Sequence, residues 1–363
     1  MARLTCRQCD HVPAPLDWRC VACGAPLELS DEPPFDPALI RREDWTMWRY
    51  GALLPVERRV TLGAGGTPLI ESEADGLPVW AKLDYANPTG SYKDRGTETM
   101  MSYLLGHGVG QVVEDSSGNA GASVAMYAGA AGVRAQIYAP AAAPLGKKRA
   151  IAAAAELVEV AGARAEVTAA CLRAVEAGAA YATHAWSPFF IAGQQTLAWE
   201  LWEQLGTAPE AVVMPAGQGL LLLGVARGFR ALHAAGCIER LPRLYAVQSA
   251  ACDPFVRGFE AGLPAPVPVT PAPTQADGVV IGQQVRGAQV LAAIRESGGA
   301  ALRVAEPELL AAHHALARRG LFAEPTSALT WAALPQVRQH LGVGHGGAIV
   351  TVLTGHGLKA VMG

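Results

Sequence analysis

Lysine is scarce in this sequence: of 363 residues only Lys82, Lys93, Lys147, Lys148 and Lys359 carry a primary amine side chain. Chemistry that needs an amine therefore has few candidates. Charge is thin as well. Asp, Glu, Lys and Arg make up 17% of the chain, below the roughly 25% usual in globular proteins. The formal net charge is −3, which leaves no basic footprint and argues against a nucleic-acid partner. Long apolar runs are missing too. The most apolar uncharged run, 211–226, is broken by Pro215, Gly217 and Gly219 and is shorter than the roughly 20 residues a membrane-spanning helix needs. The first residues, Met1-Ala-Arg-Leu-Thr-Cys-Arg-Gln-Cys9, lack the apolar core of a signal peptide. The expectation is a cytoplasmic protein with no membrane partner.

What is present fits a packed enzyme-sized chain. Hydrophobic residues reach 51%, which argues against disorder, and the length corresponds to roughly two domains. Glycine (40) and proline (25) are plentiful, so tight turns are expected. Four of the seven cysteines stand at Cys6-x-x-Cys9 and Cys20-x-x-Cys23. Each pair can form a knuckle offering two thiolates to one tetrahedral Zn²⁺, and four cysteines close its coordination sphere. Disulfides and a redox pair are the alternatives, disfavoured because cytosolic thiols stay reduced. Cys171, Cys237 and Cys252 are scattered and read as packing residues.

After the proline-rich connector 31–37, strands and helices alternate. Residues 112–115, 135–139, 157–160, 211–214, 244–247 and 348–353 read as strands, and Ala-rich helices run to Ala131 and to about Ala155. Such alternation implies α/β architecture with parallel sheets, and 348–353 is apolar enough to be buried on both faces.

Ligands of such sheets bind where strand C-termini feed loops and helix starts. Asp115-Ser-Ser-Gly-Asn-Ala-Gly121 is one such junction, suited to a carboxylate or merely to capping a helix. Pro215-Ala-Gly-Gln-Gly-Leu220 could cradle a phosphate on main-chain amides, or serve as a packing turn. Thr354-Gly-His-Gly357 places a hydroxyl at a strand tip. In Asn87-Pro-Thr-Gly-Ser-Tyr-Lys-Asp-Arg-Gly96, Lys93 follows a Pro/Gly turn at a helix start. A dipole end and partial burial both disfavour an ammonium there, and a lysine so activated forms Schiff bases with carbonyl cofactors. An arbitrary lysine is otherwise a solvated surface group.

These segments resemble, in order, the motifs of the threonine synthases within the fold type II pyridoxal-phosphate enzymes (tryptophan synthase β-like). Residues 87–96 are similar to the cofactor-lysine motif, with Tyr92 in place of the usual Phe. Residues 116–121 resemble the substrate-carboxylate loop, 215–219 the phosphate cup and 353–359 the C-terminal strand tip. A branch of the family also carries an N-terminal cysteine ribbon.

The resemblance implies two parallel-sheet three-layer domains plus a small four-cysteine zinc ribbon. The ribbon would cover 1–30, the large cofactor domain 31–95 with 191–363, and the small substrate domain 96–190, with pyridoxal 5'-phosphate in the cleft between them. Lys93 would hold the cofactor and serve as base. Asn119 would bond its ring 3′-oxygen, Gly217, Gln218, Gly219, Leu220 and Leu221 its phosphate, and Thr354 its ring nitrogen. Ser116, Ser117 and Gly118 would face the carboxylate of an amino-acid substrate, and Cys6, Cys9, Cys20 and Cys23 would hold structural Zn²⁺. The implied reaction converts O-phosphohomoserine and water to L-threonine and phosphate, in a homodimer. Lys147, Lys148 and Arg149 are candidates for a second anion pocket, with a solvated face as the alternative.

Departures bear on the substrate. Gln195 stands where relatives carry Lys, Gln218 and Leu220 where Asn and a small polar residue are usual, and Ala360 where Asp is expected. A serine or threonine dehydratase, or a β-replacing enzyme such as cysteate synthase, is the competing enzyme class. A zinc-ribbon interaction protein on a degenerate scaffold is the non-enzymatic one.

Overall fold

A computed structural model describes residues 3–143, 145–342 and 346–361, without the side chains of Lys147, Ala360 and Val361. The described strands are β1 (Arg3–Thr5), β2 (Glu28–Ser30), β3 (Leu69–Ala74), β4 (Leu77–Lys82), β5 (Gln111–Glu114), β6 (Arg134–Pro140), β7 (Glu156–Val160), β8 (Ala180–Tyr181), β9 (Ala211–Pro215), β10 (Arg243–Ser249), β11 (Ala300–Val304) and β12 (Ile349–Val352). The strands expected from sequence lie within two residues of these at every end. Those that sequence reading passed over beyond the connector are β3, β4, β8 and β11. β8 is only two residues long, and β4 carries Pro78 and ends in a lysine, which masks its strand pattern.

The chain divides into two compact units, one comprising the residues up to Gly66 with Asn87–Gly193, the other Thr67–Ala86 with Gln194–Ala360. This differs from the division read from sequence, in which 31–95 went with the C-terminal half. Glu98 is the physical reason. Its buried carboxylate accepts from Trp48 Nε1, from Tyr127 Oη at 2.5 Å and from the amides of Leu62 and Ala64 at 3.4 Å. Residues 48–64 are thereby bound to the helix Lys93–Gly106.

In the first unit the sheet order is β7-β6-β5-β8, all parallel. Val113 and Tyr138 pack with Val167 and Cys171 of the helix Arg164–Glu176 on one face. Ile137, one residue before Tyr138, therefore faces the other way, against the helix Asn119–Ala130, where a Cβ on Gly121 would lie 2.9 Å from its side chain. Helices on both faces give three layers. In the second unit the order is β11-β10-β9-β12-β4-β3, parallel except for the antiparallel edge strand β3. Val213 and Tyr245 share one core with Leu309, Leu316, Leu329 and Trp331, while Leu244 faces Ala226, Phe229 and Ala293 on the other side. β12 is buried throughout, as its unbroken apolar sequence requires.

Candidate active site

Lys93 is the first residue of its helix. The turn before it closes through Gly90 N–H donating to Asn87 O at 2.8 Å, with Gly90 at φ +78°, a conformation that favours glycine. Asp94, fully buried, accepts from Thr89 N at 2.6 Å, Thr89 Oγ1 at 2.5 Å and Ser123 Oγ at 2.6 Å. One carboxylate thus fixes the lysine turn and fastens it to the helix Asn119–Ala130. Lys93 Nζ lies 4.7 Å from the Tyr92 ring centroid and 5.8 Å from that of Phe190. The lysine helix also packs hard on residues 190–193. A Cβ on Gly96 would lie 2.5 Å from the Phe190 ring, and one on Gly193 2.1 Å from Arg95 O.

The Ser116–Asn119 loop joins β5 to its helix, with Gly118 as N-cap and Gly118 N–H donating to Ser116 Oγ at 3.3 Å. At its base Asp115 accepts from Thr168 Oγ1 at 2.6 Å and Tyr181 Oη at 2.8 Å, and pairs with Arg164 at 2.9 Å. The loop folds over Gly121, whose missing Cβ would stand 1.8 Å from Ser116 O. Gly→Ala inside a helix ordinarily stabilises by about 1 kcal/mol. Here Gly121→Ala is expected to lower stability by roughly 1–3 kcal/mol, because the loop must move away from the new methyl. A denaturant midpoint above wild type would contradict this.

Glu114 ends β5 and is fully buried; its Oε1 lies 2.7 Å from His184 Nδ1, whose side chain is 14% exposed. Burial, aided by the neighbouring Asp115, pushes the Glu114 carboxyl well above the usual range against the pull of Arg164 and Lys93. Burial, with the Lys93 and Arg164 charges, pushes His184 well below its ordinary value. Both shifts favour the uncharged form of each partner. Sequence reading passed over Asp94, Glu114, His184 and Phe190. The one available signal was an acidic residue closing an apolar strand at its C-terminal edge, where ligands gather.

In the second unit, Gly219 (φ +79°) caps the helix Leu220–Ala234, and its Cβ would lie 2.7 Å from Val290. A Cβ on Gly217 would lie 3.0 Å from Gly278 O. Gln218 Oε1 accepts from Val285 N at 3.1 Å, which holds its side chain to protein. Backbone amides at 217–221 then remain as the loop's means of holding an anion at the helix start. Thr354 follows β12 and is 3% exposed. Ser327 accepts from the amides of Thr354 at 2.9 Å and Gly355 at 3.0 Å and lies 3.1 Å from Thr354 Oγ1, so the threonine hydroxyl is held in place. Amides at a helix start suit a phosphate and a held hydroxyl suits a ring nitrogen, the two needs of pyridoxal phosphate that this unit's residues can meet; the first unit separately offers the Lys93 amine.

The four ribbon cysteines present sulfurs within 4.8 Å of one another, with Cys6–Cys9 and Cys6–Cys23 at 3.6 Å and Cys9–Cys20 at 3.5 Å. A disulfide has S–S of about 2.05 Å, whereas tetrahedral Zn–S bonds of about 2.3 Å separate sulfurs by about 3.8 Å. The spacing fits one metal ion. Gly24 N–H donates to Cys20 O at 2.8 Å, with Gly24 at φ +73°, which closes the second knuckle. Of the second-anion candidates, Lys148 pairs with Glu159 at 2.9 Å, Arg149 is exposed, and the Lys147 side chain lies outside the described residues.

Residues 60–355 match the family model described as pyridoxal-phosphate dependent enzyme. The threonine synthase of Methanosarcina acetivorans is 31% identical, the match covering 99% of this chain and 92% of that one. The threonine synthase of Mycobacterium tuberculosis is 33% identical over 83% of each. Among solved structures, the T.th. threonine deaminase is similar at a TM-score of 0.69 and 28% identity, covering 87% of this chain and 97% of that one.

Proposed function

We propose, from the premise that this chain belongs to the pyridoxal-phosphate dependent enzymes and among them to the threonine synthases, that it converts O-phosphohomoserine and water to L-threonine and phosphate. The observation that carries the reading is the likeness to threonine synthases across nearly the whole chain, supported by a lysine at a helix start in the segment that resembles the family's cofactor-lysine motif. Pyridoxal phosphate, when bound, supplies an electron sink for the carbanion chemistry.

The remaining work falls to the chain. Lys93 holds the cofactor through Nζ and, when freed, takes the α-proton on that nitrogen. Ser116, Ser117 and Gly118 bind the substrate carboxylate, and Asn119 orients the ring through its 3′-oxygen. The amides of Gly217, Gln218, Gly219, Leu220 and Leu221 bind the cofactor phosphate. Thr354, steadied by Ser327, offers the ring nitrogen a neutral hydroxyl that cannot keep it protonated. That weakens the sink and favours elimination and replacement at the side chain over transamination. The partner is thus a small-molecule amino acid. The same reading makes the enzyme cytoplasmic and homodimeric; among the described residues no helix is long and apolar enough to cross a membrane.

The test is phosphate release with threonine formation from O-phosphohomoserine, set against ammonia release from L-threonine. Ammonia release without phosphate release would move the chain to the dehydratases, the reading favoured by the threonine deaminase likeness and by the Gln195 and Gln218 departures.

We propose further that Cys6, Cys9, Cys20 and Cys23 hold structural Zn²⁺. Among the described residues, the ribbon's own core cluster is Cys6, Cys20, Ala25 and Leu27, with Leu4 and Cys9 partly buried against it, too little apolar material to fold a module alone. Metal analysis should find about one zinc per chain, a stoichiometry set by the four-thiolate site, and Cys20→Ser should lose it together with stability. Zinc-free protein as stable as the native form would end the idea.

A further inference from the structure

Glu114 and His184 have no part in the function assigned so far, yet the fold places them on the reacting side of the sheet. Glu114 pairs in register with Ile137, and residues directly opposite on neighbouring strands share a face. Ile137 faces the helix Asn119–Ala130, which Asp94 fastens to the lysine turn. Glu114 therefore points away from Val113 and the helix Arg164–Glu176, toward the side that carries Lys93. His184 sits edge-on to Phe190 at 5.9 Å between centroids, and the same ring lies 5.8 Å from Lys93 Nζ. Glu114 is completely buried, and its Oε2 has no hydrogen-bond partner although Oε1 has one. A buried carboxyl oxygen left unpaired costs about 1–3 kcal/mol, a penalty that a bound molecule or water would relieve.

We propose that Glu114, tethered to His184, is a second acid–base group of the reaction, giving and taking a proton at Oε2. The proposal rests on the threonine synthase reading for the identity of its substrate. That reaction removes a proton from the β-carbon as phosphate departs from the γ-carbon with the C–O electron pair, that proton leaving with the phosphate. It then gives the γ-carbon a proton and takes one from the water that adds at the β-carbon. Lys93 holds the α-proton while these transfers occur, which leaves both open to a second acid–base group. Glu114 delivers its Oε2 proton to the γ-carbon side, and the resulting carboxylate recovers a proton from the incoming water. His184 Nδ1–H donates to Oε1 throughout and the pair ends uncharged, as it began.

The charged and titratable groups around it agree with a proton kept at rest. Burial is the largest influence and, with the Asp115 charge, disfavours ionisation of Glu114, while Arg164, Lys93 and the Asp115 backbone N–H favour it. Tyr181 and Cys171, the other titratable neighbours, are themselves pushed up by burial and by the two acids, and so stay uncharged.

The test compares wild type, Glu114→Gln and His184→Phe. Infrared difference spectra of cofactor-free protein at neutral pH should show a protonated-carboxyl C=O band that Glu114→Gln lacks. In the loaded enzyme Glu114→Gln should lower kcat by about 10²-fold or more, with KM within about twofold, the mark of a group used in the transition state. His184→Phe should shift the carboxyl band and the pH–rate profile together. A wild-type spectrum without that band overturns the proposal, as does a folded Glu114→Gln enzyme with wild-type kcat. The infrared arm needs no substrate. Absence of O-phosphohomoserine turnover in wild type would sink only the substrate reading, and the kcat comparison would then be made on ammonia release from L-threonine.

Discussion

Replacing Lys93 with Ala is expected to abolish turnover while leaving the fold intact. Nζ both anchors the cofactor and carries the α-proton in the proposed function, and the proton-transfer role alone is worth about 10²–10⁴-fold. A loss of at least about 10³-fold is therefore expected, together with loss of the bound-cofactor absorbance on dialysis. The side chain contributes little to stability. It is only partly buried, and its approach to the Tyr92 ring is worth roughly 0.5–1 kcal/mol. The denaturant midpoint should barely move. Retained cofactor colour with turnover near wild type would remove Lys93 from the mechanism, and Lys93→Arg separates charge from nucleophilicity.

Lys82→Ala should do the reverse, damaging the fold first. Lys82 is fully buried at the end of β4, where Nζ lies 2.5 Å from Glu200 Oε1 and donates to Thr67 O at 2.6 Å and Gln204 Oε1 at 2.8 Å. Thr67 Oγ1 in turn donates to Asp84 at 2.9 Å and lies 3.2 Å from Glu200. Removing one member of a buried ion pair leaves the other charge unpaired and costs about 3–5 kcal/mol, a large share of the roughly 5–15 kcal/mol that stabilises a typical protein. The replacement should appear as loss of soluble protein or a markedly lower unfolding midpoint. Lys82→Met combined with Glu200→Leu should recover much of it, since an apolar pair of similar volume is often neutral or better. A midpoint within about 1 kcal/mol of wild type for Lys82→Ala would show the network to be dispensable, below the range expected of such a pair. The strand context adds a second effect. Leu353 N–H donates to Lys82 O at 2.9 Å, so the β4 end that Lys82 stabilises also sets the position of Thr354.

The two lysines show what a sequence can and cannot say. Lys93 was legible because its neighbours are local: a Pro/Gly turn, a helix start and a motif within ten residues. Lys82 was not. It ends a strand that carries Pro78, and its partner stands 118 residues away. The same divide runs through the candidate residues of each unit. The Ser116–Asn119 and Gly217–Leu221 loops announce themselves through small residues between an apolar strand and a helix. Asp94 meets Ser123, Glu114 meets His184 and Thr354 meets Ser327 only after the chain has returned on itself. The domain division shifted for that reason too, because Glu98 binds 48–64 to a helix that begins at Lys93.

The sequence by itself determined the parallel α/β architecture, the strand ends that carry loops, the cysteine quartet and the lysine. Each of these follows from hydrophobic periodicity, backbone preference or spacing, which act over a few residues. Tertiary structure alone decided which buried polar groups share a partner, and with that which carboxyl is disfavoured from ionising by burial and which amine is buried in an ion pair. Hydrogen bonding and desolvation depend on distance in space, and residues 70 or 118 positions apart acquire that distance only when the sheets form.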